Sequence, residues 1–242
     1  PDIIIDESFI NDELIRRSPS GIPGSTKRIE ADKLIWLSGI KDGQSTGMPI
    51  KFVIENESYH SRDYNFLKDV FRPSHADYTY FIQYGKDNIG GGRASGRETA
   101  VRVVGGALAK ILLNQFNISC LGFVTQIGKV KSSINTDQVL KEDINASILN
   151  CPDRNATNDM IRAIEKAQKN GDTLGGEIKC ILRNIPVGLG EPVFDKLEAD
   201  LAKAMLSIPS VEGFEVGSGF EAITLTGSEY NDIFIKSEGK IT

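Results

Sequence analysis

An α+β fold, with antiparallel sheets around long packed helices, is what this sequence predicts. Three observations carry that expectation. Residues 33–39, 49–55, 118–130 and 176–184 read as strands by alternation and β-branching. Residues 96–115, 159–169 and 192–206 repeat apolar side chains at helical spacing. No linker-like change of composition and no short repeat divides the 242 residues, so a single domain over 1–242 is expected.

Taken in order, Asp6 can cap a first helix with Phe9, Ile10 and Leu14 on one face and Arg16 and Arg17 at its negative end. Residues 18–28 are rich in Ser, Pro and Gly and read as a loop. Gly43 and Gly47 punctuate the turn between the first two strands, and residues 71–85 close with a short helix stopped by Gly85. The helix from Gly96 to about Gln115 places Val101, Val104, Leu108, Ile111 and Leu112 on its apolar face. Gly105-Gly106 within it lowers helix stability, which reads as close helix–helix contact. Residues 132–150 are polar and read as peripheral. Asp159 to Lys169 is an amphipathic helix ended by Gly171, and Pro192 opens another that runs to about Leu206. Glu212 to Thr226 reads as a strand hairpin interrupted by Gly217 and Gly219.

Composition narrows the function classes. The net charge of −5, with no basic run, argues against a general nucleic-acid binder. Cys120, Cys151 and Cys180 are odd in number and lack metal-site spacing, which points to buried thiols in a reducing compartment. No stretch approaches a membrane span and no cleavable signal opens the chain, so a soluble cytoplasmic protein is expected. The abrupt opening Pro1-Asp2-Ile3-Ile4-Ile5, without Met, and the ending at Ile241-Thr242 lead to the expectation of a fragment.

The stretch with most chemistry is Gly90-Gly91-Gly92-Arg93-Ala94-Ser95-Gly96-Arg97-Glu98. Ser95 and Glu98 have capping-box spacing, and a helix start flanked by two arginines favours an anion, above all a phosphate. A capped helix start with tight packing is the other reading. The run matches neither the Walker pattern nor the dinucleotide fingerprint. In Arg72-Pro73-Ser74-His75-Ala76-Asp77, His75 is either an acid–base group or a structural histidine bonded to Asp77 or backbone. His60 reads as a solvated loop residue, and Arg16, Arg17 and Arg28 bracket a loop that can close over an anion or simply complement a helix end.

Read together, these segments closely resemble the chorismate synthase family. The likeness rests on Phe71 to Tyr80, Gly90 to Ala100, Arg16-Arg17, Arg28-x-Glu30-x-Asp32, Leu37-Ser38-Gly39, Ser45-Thr46-Gly47, Gly213 to Phe220 and Gly227-Ser228-Glu229. It runs in order through essentially the whole chain. The resemblance implies a β-α-β sandwich and a homotetramer. It implies a carbon–oxygen lyase acting on phosphates, which converts 5-enolpyruvylshikimate-3-phosphate to chorismate by anti-1,4-elimination in aromatic amino-acid biosynthesis. Reduced FMN is required without net oxidation or reduction, and NADPH enters if the enzyme reduces its own flavin. By resemblance, Arg93, Ala94 and Ser95 are flavin-binding, and Arg72 and His75 lie at the substrate, with His75 the acid that protonates reduced flavin or leaving phosphate. Arg17 matches the substrate and nicotinamide end, joined by Arg28. Pro209 and Ser210 align with a flavin-contacting Asn-Ala pair, where only a backbone contact survives the proline.

Several family segments have no counterpart here. These are the N-terminal Gly-Glu-Ser-His-Gly with its catalytic His, the C-terminal Lys-Pro segment and the Arg-x-Asp motif; a first-loop arginine falls on Pro23. A chain truncated at both ends is therefore expected. The alternative to an active lyase is an inactive core that keeps the fold and at most binds a phosphorylated ligand or self-associates.

Overall fold

Asp6 turns the chain into its first helix, its carboxylate accepting from the Phe9 N–H at 3.0 Å, one of the amides a helix start leaves open. The computed structural model describes residues 1–19, 21, 23–26, 31–56, 70–85, 94–237 and 240–241. Helix α1 (Glu7–Arg17) buries Ile10 and Leu14, one turn apart, and ends in Arg16 and Arg17 as expected. Strand β1 (Leu34–Ser38) leads to a small hairpin, β2 (Ile40–Lys41) and β3 (Gln44–Ser45), at the predicted turn. Strand β4 (Lys51–Ile54) returns antiparallel to β1. Gly39 makes the corner possible: its φ is 83°, and a Cβ there would meet the Ile50 Cα at 2.6 Å.

Helix α2 (Asp77–Tyr84) stops at Gly85, and one 3-10 turn, Gly96–Glu98, leads into α3 (Thr99–Asn114). Helices α1 and α3 pack together, burying Ile5, Ile10, Leu14, Val104 and Ala107 against Trp36 and Phe52 of the β1–β4 pair. The buried face of α3 is therefore Ala100, Val104 and Ala107, while Val101 and Leu112, expected inside, are exposed. Gly105 and Gly106 are also exposed, and a Cβ on either would meet nothing within 4 Å, so the expected close contact is not made among the described residues.

Strand β5 (Ser119–Ile127) turns into β6 (Val130–Lys131). Helices α4 (Lys141–Asn145) and α5 (Arg154–Lys169) follow, then β7 (Gly176–Arg183). The sheet order is β6-β5-β7, antiparallel throughout. Val124 and Ile127 pack with Leu149, Cys151, Ala156 and Met160, whereas Leu121, Phe123 and Ile181 pack with Ile134, Val139 and Ile144. Residues 132–150 are thus not peripheral. Val139, Ile144 and Leu149 are buried, set by a 3-10 turn and a short helix with no sustained period to announce them. Helix α5 starts well before Asp159 because Asp153 caps it, accepting from the Ala156 N–H at 3.0 Å. Helix α3 touches both β4 and β5, which gives the β-α-β sandwich of an α+β fold. Of the three cysteines expected to be buried, only Cys151 is; Cys120 is half-buried and Cys180 exposed. No described helix is long and apolar enough to cross a membrane.

The chain clusters into two compact units, Pro1–Ile185 and Pro186–Thr242. In the second, α6 (Leu197–Leu206) begins after Pro192, because Glu191 and Asp195 exchange backbone hydrogen bonds at 2.7 and 3.0 Å and close a turn there first. The hairpin expected over 212–226 does not form. Gly217 and Gly219 are both left-handed and turn the chain into a 3-10 helix, Gly219–Thr224. Glu229 Oε2 then accepts from both the Thr226 N–H and Thr226 Oγ1, each at 2.8 Å, at the start of α7 (Gly227–Tyr230), and β8 (Lys236–Ser237) pairs with β9 (Lys240–Ile241).

Candidate functional site

Asp32 organises the first of two charged clusters. Its backbone is left-handed at φ 44°, which Asp tolerates, and the residue is buried. Arg17, at the end of α1, donates from Nη1 to Asp32 Oδ2 at 3.0 Å, from Nε to Thr99 Oγ1 at 3.1 Å and from Nη2 to the Gly96 carbonyl at 3.4 Å. Arg97 donates to the other Asp32 oxygen at 2.5 Å and to the Glu55 carbonyl at 2.8 Å. One carboxylate thus faces two guanidinium groups beside the N-terminal end of α3, a setting that attracts an anion. Ser95 Oγ accepts from the Arg97 N–H at 3.2 Å, so it does cap, but it caps the 3-10 turn. Glu98 pairs forward with Arg102 instead of closing the predicted box, because the tighter first turn shifts the register of the cap.

Arg72, His75 and Asp77 form the second cluster. Asp77 opens α2 and is buried; it receives Arg72 Nε at 2.7 Å and Nη2 at 2.8 Å, a bidentate pair, and the Arg72 backbone N–H at 3.2 Å. The Arg72 hydrogen bonds, with the nearby His75 and Arg72 charges, hold the Asp77 carboxyl down to about 2, against desolvation, which pushes the other way. His75 Nδ1 lies 2.8 Å from Asp77 Oδ1. An anionic partner assigns the hydrogen to Nδ1, and Nε2 is left with no partner among the described residues. The Arg72 Nη2 at 3.3 Å from Nδ1 is then a close approach of two donors. A carboxylate that fixes one imidazole nitrogen so that the other can take or give a proton is a recurrent acid–base arrangement. Ser74, at φ 56°, makes the tight bend that folds Arg72 back onto this group.

Of the residues singled out in the sequence, Arg17 and Ser95 meet around Gly96 and Arg97, with Ala94 half-buried beside them. Arg72 and His75 share Asp77. Arg28, Arg93 and His60 lie outside the described residues. Pro209 and Ser210 belong to the second unit, at the middle of a turn closed by the Val211 N–H to the Ile208 carbonyl at 3.2 Å, with Ser210 left-handed at φ 66°. A cleft of about 410 Å³ between β5, β7 and α5 is lined by none of Arg17, Arg72, His75, Ala94, Ser95, Pro209 and Ser210. The sequence alone does not pair Arg17 with Asp32 and Thr99, or Arg97 with Asp32; the only signal is that Asp32, Arg97 and Thr99 fall within the segments that carry the family resemblance.

The model of the chorismate synthase family matches residues 1–241. The chain belongs to the chorismate synthase family. The chorismate synthase of Bacteroides thetaiotaomicron is 48% identical over 240 residues, covering 99% of this chain and 67% of that protein. That of Prochlorococcus marinus (strain MIT 9301) is also 48% identical over 240 residues, covering 98% of this chain and 66% of its own length. The chain therefore spans about two thirds of these chorismate synthases. A crystal structure of chorismate synthase superposes with a TM-score of 0.77 at 29% identity, over 99% of this chain and 69% of that one.

Proposed function

We propose that this chain carries the central part of a chorismate synthase active site, which eliminates phosphate and a ring hydrogen from 5-enolpyruvylshikimate-3-phosphate in an anti-1,4 sense. The observation that carries the reading is the Arg72–His75–Asp77 constellation within a family match over residues 1–241. In it, Arg72 binds the substrate and is held in place by Asp77. His75 uses Nε2 to deliver or receive the proton, while its Nδ1–H stays on Asp77. Arg17 binds the anionic substrate, and the nicotinamide of NADPH if the flavin is reduced in place; Arg28 joins it.

The residues also fit a flavin phosphate. The Asp32 cluster sets two guanidinium groups against one carboxylate at the N-terminal side of α3, and a Cβ on Gly96 would meet nothing within 4 Å among the described residues. Arg93, Ala94 and Ser95 would hold it. Reduced FMN, when bound, supplies the electron-rich partner that the elimination draws on without net redox change. The same reading makes the protein a cytoplasmic homotetramer of aromatic amino-acid biosynthesis, supported by the family match.

Chorismate formation from the enolpyruvyl substrate, under anaerobic conditions with reduced FMN, tests this. Replacing His75 by Ala is expected to lower turnover by about 10²–10⁴-fold with the fold intact. Unchanged turnover would remove His75 from its role. Stoichiometric FMN and substrate binding by the parent chain without any chorismate would favour the second reading, a binding core.

A further inference from the structure

Cys120 and Cys180 stand on adjacent antiparallel strands, with their Sγ atoms 3.4 Å apart. In the register, Cys120 faces Leu182 and Cys180 faces Gly122, so the two thiols are diagonal neighbours on one face of the sheet. Gly122, opposite Cys180, has no side chain, and a Cβ there would meet nothing within 4 Å among the described residues, so this position does not crowd the two thiols. Closing 3.4 Å to a sulfur–sulfur bond of ~2.05 Å brings the two sulfurs about 1.4 Å nearer. Cys120 also lines a cleft of about 120 Å³ that carries Arg16, Lys110, Lys141 and the single carboxylate Glu13. Lys110 Nζ and Arg16 Nη1 both pair with Glu13, at 2.8 and 3.2 Å, so the cleft keeps a surplus of positive charge.

We propose that Cys120 and Cys180 are a thiol pair that an anionic peptide disulfide of low mass oxidises to a cross-strand bond between β5 and β7. The Cys120 thiolate attacks one sulfur of the small disulfide, forming a mixed disulfide and releasing one thiolate. The Cys180 sulfur, losing its proton to solvent, then attacks Cys120 Sγ, closes the protein bond and releases the second thiolate. Two protein thiols lose two electrons, and one small disulfide becomes two thiols. The order of attack follows from the surroundings. The hydrogen bond from Cys180 brings Cys120 down to about 6, helped by the Lys110 charge, against desolvation and the nearby Glu13 carboxylate, which push the other way; the same bond keeps the proton on Cys180, whose thiol is pushed up. The cationic cleft attracts a carboxylate-bearing disulfide to the attacking thiol. Cys151, 0% exposed, is a built-in control.

The reduced full chain, incubated with oxidised glutathione and mapped by mass spectrometry, is expected to contain Cys120 joined to Cys180 and Cys151 free. Cys180→Ser is expected to halt at a glutathione adduct on Cys120. In Cys120→Ser, capture of glutathione by Cys180 is expected to be at least about tenfold slower than the first capture by Cys120 in the parent. Lys110→Met, which leaves both thiols in place, is expected to slow the first step about threefold with glutathione and less with an uncharged disulfide. A lasting adduct on the unmutated chain, first capture at Cys180, pairing through Cys151 or no reaction at all would each overturn the proposal.

Discussion

Replacing Asp32 by Asn exchanges one oxygen for an amide nitrogen and removes the charge that Arg17 and Arg97 share. The carboxylate accepts at 3.0 Å from one and at 2.5 Å from the other, and hydrogen bonds of this charge-assisted kind contribute about 1.5–3 kcal/mol each. Asn keeps one neutral acceptor and turns its NH₂ towards the second guanidinium. The Arg17 and Arg97 side chains are only 20% and 17% exposed, so water replaces the lost partner incompletely. Asn is at home in the left-handed region, and the φ of 44° adds no strain to the comparison. The expected loss is about 2–4 kcal/mol. Urea unfolding followed by fluorescence measures it, because the sole tryptophan, Trp36, lies in the same unit and bonds Glu7 of α1 at 2.9 Å. The midpoint is expected to fall with the slope unchanged, and adding Arg17→Met is expected to restore part of the loss by removing the uncompensated charge. A loss below about 1 kcal/mol, or no recovery in the double variant, would refute the shared-carboxylate argument.

Asp77→Asn tests the second cluster through pH. Because the folded carboxyl is held below its ordinary value of 3.8, at about 2, its contribution is fully present above 3.8 and fades as pH falls through about 2. The urea midpoints of Asp77→Asn and the parent are expected to differ by roughly 1–2 kcal/mol near neutrality, discounted for the partly exposed Arg72, and to converge in acid. Phe123→Ala empties a site 1% exposed between Val139 and Ile144 and is expected to lower stability by about 3–4 kcal/mol in the same titration. Gly39→Ala forces a Cβ to 2.6 Å from the Ile50 backbone at a left-handed φ, and thermal unfolding is expected to register a loss of about 2 kcal/mol or more.

The features legible in the sequence are local ones. Asp6 and the apolar spacing of α1, the alternation of β5 and β7, and the stop at Gly85 are each set by neighbours within a few residues, and all are found. Arg72, His75 and Asp77 lie within six consecutive residues, so their meeting needs only one tight bend at Ser74. The misreadings are of another kind. Pro192 and the 212–226 stretch carry ordinary helix and strand signals, which backbone bonds between Glu191 and Asp195 and the left-handed Gly217 and Gly219 override. Val139, Ile144 and Leu149 sit among polar residues without a period, and only their packing on β5 and α5 reveals them as core.

The sequence by itself determined the element types wherever one face is apolar, the family, and the chemistry of each candidate group, because period, capping and residue type are properties of short stretches. Only the tertiary structure decided which charges compensate one another. Asp32 stands 15 residues from Arg17 and 65 from Arg97, and no local rule pairs them. It also decided that two of three thiols leave the core and meet across β5 and β7, since strand register, not spacing along the chain, brings Cys120 to Cys180. Such pairings arise from chain segments that meet only after the core has formed, where burial makes an uncompensated charge costly and so selects the partner.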